Sequence, residues 1–187
     1  MNNESLETIY ELCINEPYLL QDLERWVERL RLKELSDFER FSRYFKTRQE
    51  FRSVIKYRID RLGNALVSQS FNSTMSKYIS YAFVQNLFLS CKDIGPGLYI
   101  EHGFASIVYA KEIGRNFHLN QCVTVGSGKG GIPIIGDDVS IHCNSVVVGG
   151  IEIGDNVTIA AGSTVIDSIP SNCVVASPKA SIVRHKK

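Results

Sequence analysis

The sequence lacks an excess of charge of either sign, since 21 lysines and arginines stand against 20 acidic residues and leave a formal net charge of +1. A polyanion-binding surface needs a clustered basic excess, so this balance argues against a nucleic-acid partner. Long apolar runs are missing too. The most apolar stretch, Tyr78 to Cys91, is broken by Ser80, Gln85, Asn86 and Ser90 and falls short of the ~20 residues that a spanning helix requires. The first residues, Met1 to Glu7, are polar and acidic, without the basic start and apolar core of a secretory leader. The five cysteines (Cys13, Cys91, Cys122, Cys143 and Cys173) are odd in number and form no Cys-x-x-Cys pair, which fits neither a disulfide framework nor a zinc knuckle. Reduced thiols, a cytoplasmic location, no membrane segment and no metal are the expectations. Glycine is almost absent before Cys91, and that absence leaves the first half free to be helical.

Apolar residues in that half recur at helical spacing. Leu6, Ile9, Tyr10 and Cys13 share one face, and Leu20, Leu23, Trp26, Val27 and Leu30 form a second stripe beyond Pro17. Ser36-Asp37-Phe38-Glu39 reads as a capping box opening a third helix through Phe41, Tyr44 and Phe45. Phe51, Val54, Ile55, Tyr57 and Ile59 belong to a fourth that stops near Gly63-Asn64, and a further apolar helix is expected from Ser73 to Ser90. Core packing accounts for these aromatics.

From Ile94 the period changes. Aliphatic residues recur every six positions at Ile94, Ile100, Ile107, Ile113, Leu119 and Val125, and again at Ile135, Ile141, Val147, Ile153, Ile159 and Val165. One extra residue stands between Ile100 and Ile107, and a longer insertion, residues 126–133, follows Val125. Glycine often follows the aliphatic residue, as at Gly95, Gly114, Gly126, Gly136 and Gly154, and a turn of Asp-Asp, Asp-Asn or Arg-Asn comes next. Each hexad then makes one short strand and one tight turn, and about three hexads close a triangular coil that must stack on its neighbours. An antiparallel sheet would instead alternate with period two and lose phase at its hairpins. The fold expected is therefore α+β: an N-terminal α-helical region, residues 1–91, followed over residues 92–187 by a single-stranded left-handed parallel β-helix of hexapeptide repeats with a C-terminal tail.

Three stretches carry a resemblance to serine acetyltransferases. Ile94-Gly-Pro-Gly-Leu-Tyr-Ile-Glu-His102-Gly-Phe-Ala-Ser-Ile-Val108 resembles the segment in which an acidic residue and the catalytic histidine follow an aliphatic residue. Leu119-Asn-Gln-Cys-Val-Thr-Val-Gly126, with the Ser-Gly-Lys-Gly that follows, is similar to the Gln-x-Val-Thr-x-Gly stretch and glycine-rich cofactor loop of that family. Residues 174–184 look like its closing segment with a proline and basic residues. Upstream, Phe51 and Tyr57-Arg58 resemble the helix leading into such domains in short homologues encoded with capsular polysaccharide genes.

The resemblance implies acetyl transfer from acetyl-CoA to a hydroxyl. An alcohol near neutral pH is a poor nucleophile and needs a base; His102 is the candidate, since histidine titrates near neutrality and this one lies beside the inserted residue. Glu101 matches the acidic residue that contacts the acceptor, with Asn120 and Gln121 as further acceptor-binding candidates. Gly126, Gly128 and Lys129 would fold over the pantetheine arm, Cys143 and Ala161 would line the cofactor groove, and Lys179 and Arg184 would meet its phosphates. As a phosphate loop, residues 126–131 lack the Walker spacing and the strand-to-helix setting.

The family also builds its site between adjacent β-helices, which implies a homotrimer, or a dimer of trimers, with the loop of one copy facing His102 of another. Two positions depart from the pattern. Leu87 stands where an aspartate orients the histidine, leaving Glu101 or Asp93 as replacements, and Gly131-Ile132 stands where an Arg-His pair clamps the carboxylate of serine. No arginine lies between Arg115 and Arg184, so a saccharide hydroxyl is the expected acceptor unless the helical half supplies a cation. Serine O-acetylation of cysteine biosynthesis is the alternative, and a non-catalytic assembly module is the alternative from another class. A zinc enzyme on the same repeat is disfavoured because His102, His118 and His142 fall at different phases of their hexads, so their side chains are expected to diverge.

Overall fold

The computed structural model describes residues 3–30, 35–78 and 82–185. Five helices come first: α1 (Asn3–Asn15), α2 (Pro17–Leu30), α3 (Asp37–Thr47), α4 (Gln49–Arg61) and α5 (Ala65–Tyr78). Pro17 opens α2 at a position whose N–H would have no partner inside the helix. The expected capping box is formed, with the Ser36 hydroxyl accepting from Glu39 N–H and the Glu39 carboxylate accepting from Ser36 N–H at 2.8 Å. On α2 the inward stripe is Leu19, Leu23 and Trp26, while Leu20 is only half-buried and the side chain of Leu30 lies outside the described residues.

The expected helix over Ser73 to Ser90 is replaced by two elements. Asn64 caps α5, its side-chain oxygen accepting from Val67 N–H at 3.2 Å, so that helix starts at Ala65. Leu87–Leu89 is a strand, and residues 79–81 lie outside the described ones. The Leu-Phe-Leu run takes the extended form because Ser106–Val108 offers it a parallel partner in register, and such pairing outweighs a weak local helical preference.

Five coils follow. The first holds β1 (Leu87–Leu89) and β2 (Tyr99–Ile100), the second β3 (Ser106–Val108), β4 (Glu112–Ile113) and β5 (His118–Leu119). The third holds β6 (Thr124–Gly126), β7 (Ile134–Ile135) and β8 (Ser140–Ile141), and the fourth β9 (Val146–Val148), β10 (Glu152–Ile153) and β11 (Thr158–Ile159). The fifth ends the stack with β12 (Thr164–Val165) and β13 (Val174–Val175). All neighbouring strands pair in parallel. They make three faces: β1-β3-β6-β9-β12, then β4-β7-β10, then β2-β5-β8-β11-β13. Bridges of Ile94 to Ile113 and Ile153 to Ile169 extend the second face to both ends. Five coils of parallel strands on three faces make the chain a left-handed β-helix preceded by helices.

The hexad aliphatics form the inward columns. Val125, Val147 and Val165 stack on the first face, Ile94 to Ile153 on the second, and Ile100, Leu119, Ile141 and Ile159 on the third, all buried. Burying each such side chain contributes about 1.5–3 kcal/mol. Ile107 breaks the expectation: it points outward and is 48% exposed, while Val108 pairs with Val125 and is 0% exposed. The inserted segment after Ile100 is thus two residues long, and the leg from Val108 to Ile113 is one residue short. The glycine that follows the aliphatic also has a different reason from turning the chain. A Cβ on Gly114 would lie 2.6 Å from the Gly136 carbonyl carbon in the next coil, so close stacking requires the glycine. At the corner that follows the second face the left-handed backbone falls instead on Asn116, Asp138, Asn156 and Asn172, and Cys122 and Asn144 adopt it at the corner between the third and first faces.

A buried ionic knot bolts the helices to the first coil. The Asp22 carboxylate on α2 accepts from Arg58 Nε at 2.8 Å, from Arg58 Nη2 at 3.1 Å and from Leu98 N–H at 2.7 Å, and Arg58 also donates to the carbonyls of Ile94 and Gly95. Trp26 adds apolar contact, its ring 4.7 Å from that of Tyr99 and its N–H donating to Leu98 O at 3.1 Å.

Candidate active site

His102 occupies the corner between the third and first faces, inside the inserted segment. Its φ of +68° places it in the left-handed region, and Ala105 beside it is at +53°. Histidine tolerates that region better than most side chains but still at a cost. The Gly103 amide closes the bend by donating to Glu101 O at 2.9 Å, so the regular coil bulges and the imidazole stands exposed. Below it, on the same edge, come Gln121 in the second coil, Cys143 in the third and Ala161 in the fourth. The tail returns to this edge after β13, where Ser177 donates its hydroxyl to Gly162 O at 2.9 Å. Lys179 and Arg184 lie beyond that contact in exposed chain. One buried atom on the edge, Gln121 Oε1, has no hydrogen-bond partner among the described residues.

Glu101 turns away from His102. Its carboxylate accepts from His118 Nε2 at 3.1 Å, so the His118 proton sits on Nε2. Burial drives the His118 pKa down to about 4, the nearby Arg29 cation adds to the fall, and Glu101 opposes it without prevailing. His118 is therefore a neutral donor at neutral pH. Its ring lies 5.2 Å from Tyr99 and, edge to face, 5.7 Å from His142, whose Nδ1 accepts from Asn120 Nδ2 at 3.4 Å. Two expectations change here. Glu101 does not orient His102, and Asp93 sits at a different corner of the first coil, so neither replaces the missing aspartate. His118 and His142 do not diverge either, because residues on adjacent coils of one face meet diagonally. Among the described residues no group of three or more His, Cys, Asp or Glu side chains is arranged to hold a metal ion.

A cavity of about 260 Å³ opens beside His102, lined by Trp26, Arg48, Glu50, Tyr99, Glu101 and His102. Its roof is helical. Arg48 sits at the junction of α3 and α4, where its N–H donates to Tyr44 O at 2.8 Å, and Arg29 of α2 lies over the Tyr99 ring at 5.2 Å.

The glycine-rich loop occupies a different edge, between the first and second faces. Gly128 and Gly131 exchange hydrogen bonds of 2.9 and 3.2 Å, and the Gly150 amide donates to Lys129 O at 2.9 Å. A Cβ on Gly150 would come within 2.2 Å of Gly130 O, so Gly149-Gly150 forms a floor that only glycine allows. Between the two edges the first face exposes Phe88 (55%), Ile107 and Tyr109 (44%) in its first two coils and Ile166 (63%) in its fifth, with Thr124, Val146 and Thr164 between Ile107 and that end. The structure thus gathers His102, Gln121, Cys143 and Ala161 on one edge, sets Glu101 and Asn120 on the third face, and leaves Gly126, Gly128 and Lys129 across the first face. Sequence reasoning missed His118, Arg48 and Gly149-Gly150; only the doubled glycine left a signal that could have been read.

Residues 132–167 match the bacterial transferase hexapeptide family of six repeats. The serine acetyltransferase of Synechococcus elongatus is 36% identical over 88 residues, 44% of this chain and 36% of that protein. The serine acetyltransferase of Staphylococcus epidermidis is 37% identical over 99 residues, 50% of this chain and 46% of that protein. The chain spans less than half the length of these relatives. Among solved structures, serine acetyltransferase isoform 3 of Entamoeba histolytica in complex with cysteine superimposes with a TM-score of 0.64 at 20% identity, covering 96% of this chain and 62% of that one. The Neisseria gonorrhoeae enzyme in complex with serine gives 0.59 at 24% identity, over 94% and 73% of the two chains. A serine acetyltransferase in complex with CoA gives 0.62 at 21% identity, over 94% and 74%. The chain is a hexapeptide-repeat protein similar to serine acetyltransferases.

Proposed function

We propose that this protein transfers an acetyl group from acetyl-CoA to the hydroxyl of serine or a close analogue, with His102 as the general base. The observation that carries the reading is His102 itself, held in a left-handed bulge at the mouth of the cavity that also exposes Glu101. His102 takes the hydroxyl proton as the oxygen attacks the thioester carbonyl carbon. The carbon–sulfur bond then breaks, and the imidazolium returns the proton to the departing thiolate, so the products are the O-acetyl ester and free coenzyme A. Relatives described as serine acetyltransferases, and similar folds holding serine, cysteine and CoA, support this chemistry and favour serine over the saccharide expected from the sequence.

Coenzyme A would lie along the edge of Cys143 and Ala161, with Lys179 and Arg184 available to its phosphates. The loop at Gly126 to Gly131 would reach that edge from a second copy, because in one chain it stands on the far side of the first face. The exposed apolar residues of the first face, Phe88, Ile107 and Tyr109 in its first coils and Ile166 in its last, support a homotrimer closed through that face. The test is release of coenzyme A with L-serine and acetyl-CoA. Saturable turnover is expected, and His102→Ala lowers kcat about 100-fold or more while coenzyme A still raises the melting temperature. Turnover of that variant near the wild-type rate would refute the mechanism.

A further inference from the structure

No arginine lies between Arg115 and Arg184 to hold the carboxylate of serine. The fold supplies a cation from the other half of the chain. Arg48 is exposed and lines the cavity with Glu50, Glu101 and His102, and among the described residues its side chain makes no hydrogen bond or ion pair. Its backbone is fixed at both ends, donating to Tyr44 O at 2.8 Å and accepting from Arg52 N–H at 3.3 Å, so the guanidinium springs from a rigid base. The Tyr99 phenol registers the charges around it: burial and then Glu101 push its pKa up, Arg29 and Arg48 pull it down, and Glu50 pushes it up. Opposite charges therefore face one small space beside the base.

We infer that this cavity is a zwitterion site, in which Arg48 holds the carboxylate of an α-amino-acid acceptor and Glu101 its ammonium group, with the hydroxyl turned to His102. The inference rests on the acetyl-transfer reading and adds the residue that selects the acceptor. A neutral sugar would leave the exposed guanidinium to water, whereas a carboxylate fits its planar fork bidentately. Glu101 is held for the task by neutral His118, which orients the carboxylate at 3.1 Å without neutralising it.

The experiment compares wild type, Arg48→Gln and Arg48→Lys with L-serine and with L-serinamide, which keeps the hydroxyl and ammonium group and lacks the carboxylate. Arg48→Gln should raise KM for L-serine about 10- to 100-fold, the worth of a charge-assisted pair, and leave serinamide within a factor of about two. Arg48→Lys should recover part of the loss. Calorimetric binding of L-serine without acetyl-CoA accompanies the kinetics. Equal effects of Arg48→Gln on both compounds, or no effect on either, overturn the inference while the acetyl-transfer reading stands. Wild type that binds L-serine through Arg48 but never acetylates it overturns the reading and keeps the site. Wild type that neither binds nor acetylates it overturns both.

Discussion

Lowering the pH should unsettle the fold through His118 before most carboxylates titrate. In the unfolded chain this imidazole has an ordinary pKa of about 6.5; in the folded protein it is held at about 4, by burial first and Arg29 next. The unfolded state therefore takes up the proton first. Stability is fully present above pH 6.5, falls as the pH drops from 6.5 towards 4, and is constant for this group below that. The whole displacement is worth about 3 kcal/mol, of which about 2 kcal/mol is lost by pH 5. Against a typical domain stability of about 5–15 kcal/mol that is a large share. The groups facing His118 are Glu101, Arg29, His142 and Tyr99; Glu101 favours the imidazolium, while Arg29 and His142 oppose it. Urea unfolding at pH 7.5, 6.5, 5.5 and 5.0 measures it, with His118→Gln as the comparison because glutamine keeps a donor for Glu101 and cannot titrate. Wild type should lose about 2 kcal/mol more than the variant across this range. Parallel loss in the two proteins would show that His118 does not set the pH dependence.

Two further outcomes bear on the proposed site. Gly150→Ala forces a Cβ to within 2.2 Å of Gly130 O, and overpacking of about 1–3 kcal/mol should displace the loop and raise KM for acetyl-CoA roughly 5- to 100-fold, read by steady-state kinetics; an unchanged KM would detach the loop from the cofactor. Ile107→Glu places a charge among the exposed apolar residues of the first face and should turn a trimer into monomers by light scattering, whereas a variant that stays trimeric would move the interface elsewhere.

The repeat was legible because its physics is local: one inward aliphatic per hexad and one polar turn per corner. The slip at Ile107 shows the boundary of that legibility. In Ile107-Val108 both residues are aliphatic, and only the pairing of Val108 with Val125 decides which one enters the core. The Ser36 capping box was legible for the same local reason, while Leu87–Leu89 became a strand through a partner 19 positions away, Leu87 facing Ser106. The site divides likewise. His102 could be read from the residues around it, but Glu101 meets His118 across 17 positions and Arg48 reaches the cavity only because α2 and α4 dock on the third face. No spacing within the hexads encodes that docking.

The Asp22–Arg58 knot has a consequence for binding. Because α2 and α4 are tied through it to Ile94, Gly95 and Leu98, the roof of the cavity and its floor at Tyr99 move as one body. The backbone of these walls is ordered when the chain folds, so less of the entropy of assembling the site is left to oppose an incoming ligand. A small acceptor with few atoms to offer can then be held by a handful of contacts, and the selectivity of the cavity resides in its fixed shape rather than in closure around its guest.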